Sequence, residues 1–271
     1  MDNRERDLLL LLSDSNLPTG SFVASSGLES FLAHGFATGT TPASEVITTF
    51  VRDSLSTYAP SALPFVADAH SVVSHLSSAG QDQTIARLED LDDLYECMTL
   101  NHVARRASKA QGVALLSLYA KGFSRPPGVA LISSSATDEE ERLSKLVDNF
   151  KLMVRRGDSD GHLPVCWGTL CAALGLSLER TQHLHLYLHA RSLLSAAVRL
   201  NSIGPYAAQQ ILHHAVSSLV DQSIQKSAHL RTGVLQESGW DETTDGPANT
   251  WPLGEILAAR HDLQHSRIFN S

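Results

Sequence analysis

Residues 177 to 200 read SLERTQHLHLYLHARSLLSAAVRL, from Ser177 to Leu200, and this stretch decides the fold class. It is long, carries no glycine or proline, and has a helical period. On such a helix His185 and His189, four apart, project from one face, and His183 lies further round the cylinder. Tyr187 and Arg199, twelve residues apart, stand roughly 18 Å apart along the axis. Outward from it the period stays helical. Segments are predicted over 63–76, 82–98, 99–120, 138–155 and 163–174, from Pro205 to about Ser223, and from Pro252 through His261. Near the N-terminus Ser26-Gly27-Leu28-Glu29 reads as a capping box, with Glu29 reaching back to the Ser26 amide. Gly35 closes that helix, and Thr41-Pro42 opens the next. The best strand candidate is the short Val129-Ala130-Leu131-Ile132 run. Ser124 to Thr137 reads as a loop, and Glu237 to Thr250, acidic and glycine-proline punctuated, as a mobile one. The expectation is an all-α, single-domain helical bundle of about ten helices, with residues 1–236 as its body and 237–271 as a flexible C-terminal segment.

Twenty-one basic residues stand against 29 acidic ones, a formal net charge of −8. A negative balance without a basic stripe argues against nucleic acid, whose binding is driven by phosphate neutralisation. Apolar content of 42% describes a globular chain, and charge at 18% is below the usual quarter, which leaves surface for partner interfaces. The longest leucine run, Leu8 to Leu12, is far short of a bilayer span. The mixed-charge N-terminus does not read as a signal peptide. Cys97, Cys166 and Cys171 form no CxxC pair, so a disulfide framework or zinc ribbon is not expected, and a cytoplasmic, reducing compartment is the simplest one.

No Gly-Lys dipeptide exists to build a P-loop, and no nucleophile elbow, HExxH helix or dinucleotide fingerprint occurs. Thirteen histidines invite a metal reading. His185/His189 and His261/His265 each have a spacing that can hold a borderline metal if a third ligand arrives from elsewhere. The plainer reading is that these histidines pack and cap helices, as do His162, His213 and His214. Cys166 and Cys171 read as core thiols. No residue is nominated as catalytic or as a metal ligand, and no cofactor is expected. From the residues alone a scaffold or adaptor and a helical metal-dependent enzyme both stay open.

Five blocks carry a resemblance. They are Asn16-Leu17-Pro18-Thr19-Gly20-Ser21-Phe22 with Ser25-Ser26-Gly27-Leu28-Glu29; Arg106-Ala107-Ser108 with Gln111-Gly112 and Leu115-Leu116; His162-Leu163-Pro164-Val165 with Gly168 and Gly175; Tyr187 with Ala196-Ala197-Val198-Arg199-Leu200; and Pro252, His261-Asp262 and Ser266-Arg267-Ile268-Phe269-Asn270-Ser271. In this order, over essentially the whole chain, they resemble the urease accessory protein UreF family. Asn201 to Tyr206 departs from the family's glycine-rich turn, and Ala24 stands where many members carry an aromatic residue.

The resemblance implies an all-helical homodimer that is not an enzyme. It implies binding to a UreD/UreH-type accessory protein and recruitment of a UreG-type GTPase, so that GTP hydrolysis is coupled to nickel insertion into apo-urease. The partner-binding residues it implies are Glu29, Tyr187, Arg199, His261, Arg267, Ile268, Phe269 and Ser271. Residues 237–271 would be the partner-docking segment, with Phe269 as an aromatic anchor.

Overall fold

The computed structural model describes residues 3–37, 39–124, 138–235, 239–249 and 251–271. Among them there is no strand, and ten helices have seven or more residues. Helices α1 (Asn3–Leu12), α2 (Leu28–Ala33), α3 (Ala43–Ser74), α4 (Leu76–Ala79), α5 (Gln81–Met98) and α6 (His102–Leu118) make the first half. Helices α7 (Asp138–Arg156), α8 (Leu163–Ala173), α9 (Leu178–Arg199), α10 (Pro205–Ile211), α11 (Ser217–Ser227), α12 (Glu242–Asp245) and α13 (Pro252–Ala259) complete it. No described helix is long and apolar enough to cross a membrane.

The centre is α8. Its segment Pro164 to Cys171 is buried on every side, as a helix apolar all round must be. It packs between α3 and α6, and α9 closes over α3. Two apolar clusters result, one around Phe65, Phe150 and Leu170, the other around Phe50, Leu55 and Leu193, with α3 contributing to both. Cys166 and Cys171 are fully buried in the first, and burial pushes both thiols up. Gly168 lets α8 approach α3: an added Cβ would fall 2.5 Å from the Val66 carbonyl oxygen. Gly112 is tighter still. Its Cβ would lie 2.0 Å from the Gly161 oxygen, so α6 lies directly against the loop that leads into α8.

Several boundaries differ from the sequence expectation for physical reasons. The segments beginning at Thr41-Pro42 and at Leu63 are one helix of 32 residues, although Pro60 and Pro64 lie inside it. Pro64 has no N–H to give the Pro60 carbonyl, and that freed oxygen accepts the Ala248 amide at 3.2 Å. A tertiary partner thus replaces the missing helical bond. Helix α6 starts at His102 because Asn101 caps it, accepting from the amides of Val103 and Ala104. The helix expected from Pro205 to Ser223 contains a π-helical turn, Leu212–Val216, and continues to Ser227.

The described part of the acidic 237–250 segment makes defined contacts with the body. Asp241 caps α12, the Asp245 carbonyl accepts the Arg231 amide at 2.8 Å, and the Trp240 ring covers Gly233. The Val129–Ile132 run, residues 125–137 of the predicted loop, Gln236 to Ser238 and Thr250 lie outside the described residues.

Candidate functional site

The chain's last residues form a strap across its N-terminal motif. Gly20 in the LPTGSF turn takes φ +74° and Gly27 φ +86°, both left-handed values that favour glycine. Gly27, at the start of α2, faces Ala258 of α13 at ordinary van der Waals distance. With α13 seated there, the following segment runs back over the turn. Asn270 donates its amide to the Val23 carbonyl at 2.9 Å, and the Ser271 oxygen accepts the Ser25 amide at 2.5 Å.

Glu29 is the anchor. The predicted capping box is not formed, because Gly27 caps α2 without a side-chain bond and Ser26 adopts φ +49°. The Glu29 carboxylate instead accepts the amides of Ile268 at 2.5 Å and Phe269 at 3.2 Å. His261 is fully buried, and its Nε2–H donates to the Phe269 carbonyl at 3.1 Å, with Nδ1 3.8 Å from Glu29 Oε2. The Arg199 guanidinium lies between two rings, 4.0 Å from the centroid of Phe22 and 4.3 Å from that of Phe269, and also donates to the Phe22 carbonyl.

On the outer side Asp262 receives both arms of Arg106, at 2.8 and 2.9 Å, and Arg267 at 2.5 Å. Arg106 further donates to the Asn270 carbonyl at 2.7 Å. These bonds, Arg106 first, hold the Asp262 carboxyl well below the usual carboxylate range. A depressed carboxylate lends stability above its unfolded value near pH 4, and loses it as pH falls through the folded one. Proteolytic protection of residues 261–271 is therefore expected to decline progressively below about pH 4. Asp262→Asn should weaken protection at neutral pH and flatten that decline; an unchanged pH profile in the variant would remove Asp262 from the strap's hold.

Of the sequence candidates, Glu29, Arg199, His261, Arg267, Ile268, Phe269 and Ser271 belong to this one constellation. Tyr187 does not. It stacks loosely on His183 at 6.5 Å and packs where the two apolar clusters meet. Phe269, expected as a free anchor for a partner, is instead 2% exposed within its own chain, because Glu29, His261 and Arg199 supply its surroundings. What the strap leaves outside is Phe22, 65% exposed, Ile268, 57% exposed, and Arg267. Sequence reasoning did not nominate Arg106, Asp262 or Phe22, although all three stand inside the quoted blocks; their partners lie up to 177 residues away.

The HxxxH pairs separate. His261 is buried and His265 exposed. His185 and His189 line a cavity of 250 Å³ between α3, α6 and α9. There His185 Nε2 shares a hydrogen bond with the Tyr58 hydroxyl at 3.0 Å, and His189 Nε2 one with Ser54 at 2.9 Å. The Tyr58 ring stacks on both. Burial pushes His185 down to about 3 and His189 to about 4, so both imidazoles are neutral at physiological pH. Among the described residues, the three-donor group with metal-ligand spacing is Glu96, Asp160 and His162, which neither pair enters.

Fold and site together define an all-helical protein whose own C-terminal strap completes one end of the bundle. The UreF family pattern matches residues 43–216. Over 99% of its length the chain is 42% identical to urease accessory protein 6 of Cryptococcus neoformans, covering 98% of that protein. It is 31% identical to urease accessory protein F of Oryza sativa subsp. indica, over 95% of this chain and 82% of the rice one. It is 27% identical to urease accessory protein UreF of Paenarthrobacter aurescens, over 96% of this chain and 95% of the bacterial one. The chain belongs to the UreF family of urease accessory proteins, and its role lies in urease maturation.

Proposed function

We propose that this chain is a non-catalytic, cytoplasmic scaffold of urease maturation. It works as a homodimer, binds a UreD/UreH-type accessory protein and recruits a UreG-type GTPase to apo-urease, coupling GTP hydrolysis to delivery of nickel as cargo. The observation that supports this reading most is the strap, which gathers seven of the eight candidate residues at one end of the bundle. Its exposed rim of Phe22, Ile268 and Arg267 joins aromatic, aliphatic and cationic groups, the side-chain types found at binding hot spots and interface cores. In this proposal residues 237–271 are the partner-facing unit. Glu29, His261 and Ser271 position the strap, Arg199 and Phe269 stiffen it, and Tyr187 supports α9 from within.

Deleting Ser266 to Ser271 is expected to abolish co-purification with the UreD-type partner while far-UV circular dichroism keeps its helical signature. Unchanged affinity would take the strap off the partner surface. Whether urease activity in the host depends on this chain tests the scaffold role as a whole.

A further inference from the structure

We propose that Glu96, Asp160 and His162 form a site for one divalent first-row transition-metal ion, closed in this structure by the ammonium group of Lys109. The three donor atoms come from the last turn of α5 and from the loop before α8, and lie within 4.8 Å of one another. The frame around them is built. Asp92, fully buried, accepts the amides of Asp160, Gly161 and His162 and fixes the loop. Arg105 takes Glu96 Oε1 at 3.0 Å, which leaves Oε2 facing inward. Ser108 Oγ meets His162 Nδ1 at 3.1 Å, and Nε2, the nitrogen turned to the cluster, donates its N–H to Glu96 Oε2 at 2.8 Å. With the ring proton moved to Nδ1, Ser108 Oγ would accept it, as an outer-shell oxygen does for a metal-binding histidine.

Lys109 reveals what the position favours. Its Nζ stands 3.0 Å from Glu96 and 2.7 Å from Asp160, so a cation already sits between the two carboxylates. In this closed state the His162 Nε2–H, a donor like the ammonium, points at the Glu96 carboxylate. A divalent ion, with twice the charge between the same oxygens, would take the Nε2 lone pair that becomes available when the ring proton moves to Nδ1. The carboxylate and lysine side chains are 24%, 36% and 30% exposed, giving the ion an entry path, water ligands on its outer side, and room for the lysine arm to swing out. Closing the carboxylates to about 2.1 Å from a common centre asks for small rotamer shifts. One imidazole with two carboxylates favours ions of the zinc class over magnesium or calcium, which prefer all-oxygen shells. This inference is independent of the scaffold role, since the isolated chain tests it.

Equilibrium dialysis of the full-length chain against Zn²⁺, with Mg²⁺ as comparison, reads the site directly. One equivalent of zinc beyond the background of other histidines is expected. Lys109→Met, or Lys109→Gln if methionine is not tolerated, should tighten it by about tenfold by removing the competing charge. Ser108→Ala should weaken it by about tenfold. Asp160→Asn, alone or with the lysine variant, should abolish that equivalent. If the lysine variant and its Asp160→Asn double bind zinc equally, with helical content retained in both, the cluster is an internal ion pair and the proposal fails.

Discussion

Asp92→Ala is expected to lower stability by about 4–6 kcal/mol and the melting temperature by roughly 10–20 °C. The Asp92 carboxylate is fully buried and accepts four hydrogen bonds: Ser159 Oγ at 2.6 Å, and the amides of Asp160, Gly161 and His162 at 2.8, 2.6 and 2.7 Å. Alanine would leave these donors without an acceptor. Each orphaned buried group costs about 1–3 kcal/mol, and water can reach only the outer part of the loop. The same loop delivers Pro164 to the first turn of α8, the helix on which the core is assembled, so the damage would not stay local. Asp92→Asn keeps one acceptor oxygen and should fall between the two. Thermal unfolding followed by circular dichroism is the measurement, and a loss below about 1 kcal/mol would show that the loop holds itself without the carboxylate.

Glu29→Ala should release the strap. Two amides lose a charged acceptor, and bonds of this kind are worth about 1.5–3 kcal/mol each. A local loss of about 3 kcal/mol corresponds to roughly a hundredfold faster hydrogen exchange at Ile268 and Phe269. Helix α2 should change little, since its start does not use the Glu29 side chain. The opposite pattern, with α2 exchanging faster and the strap unaffected, would restore the capping-box role and remove Glu29 from the strap. The Phe269 ring would leave the Arg199 guanidinium on release, so partner binding should weaken together with the exchange protection.

What the sequence by itself determined is the local pattern. Periodicity over Ser177 to Leu200 is written in residues three and four apart, and so are α5, α7 and α8, whose ends fall within two residues of expectation. Buried cysteines and absent strand patterns are legible in the same way. The ordered motif blocks carried the family, because family identity is itself a property of linear order.

Tertiary structure alone decided what each polar group binds. Nothing near Pro64 announces that Ala248 will bond the carbonyl freed there, so a helix of 32 residues looked like two. Ser26 to Glu29 has the letters of a capping box, yet a left-handed Ser26 and the amides of Ile268 and Phe269, about 240 residues on, gave Glu29 another partner. Nothing near His162 in the sequence announces Glu96 and Lys109, which α5 and α6 bring together beside it. The C-terminal segment looked free because its apolar anchor has no neighbour in sequence. A hydrogen bond or an ion pair is satisfied by whichever group folding places within 3 Å, and that choice depends on the whole packed chain.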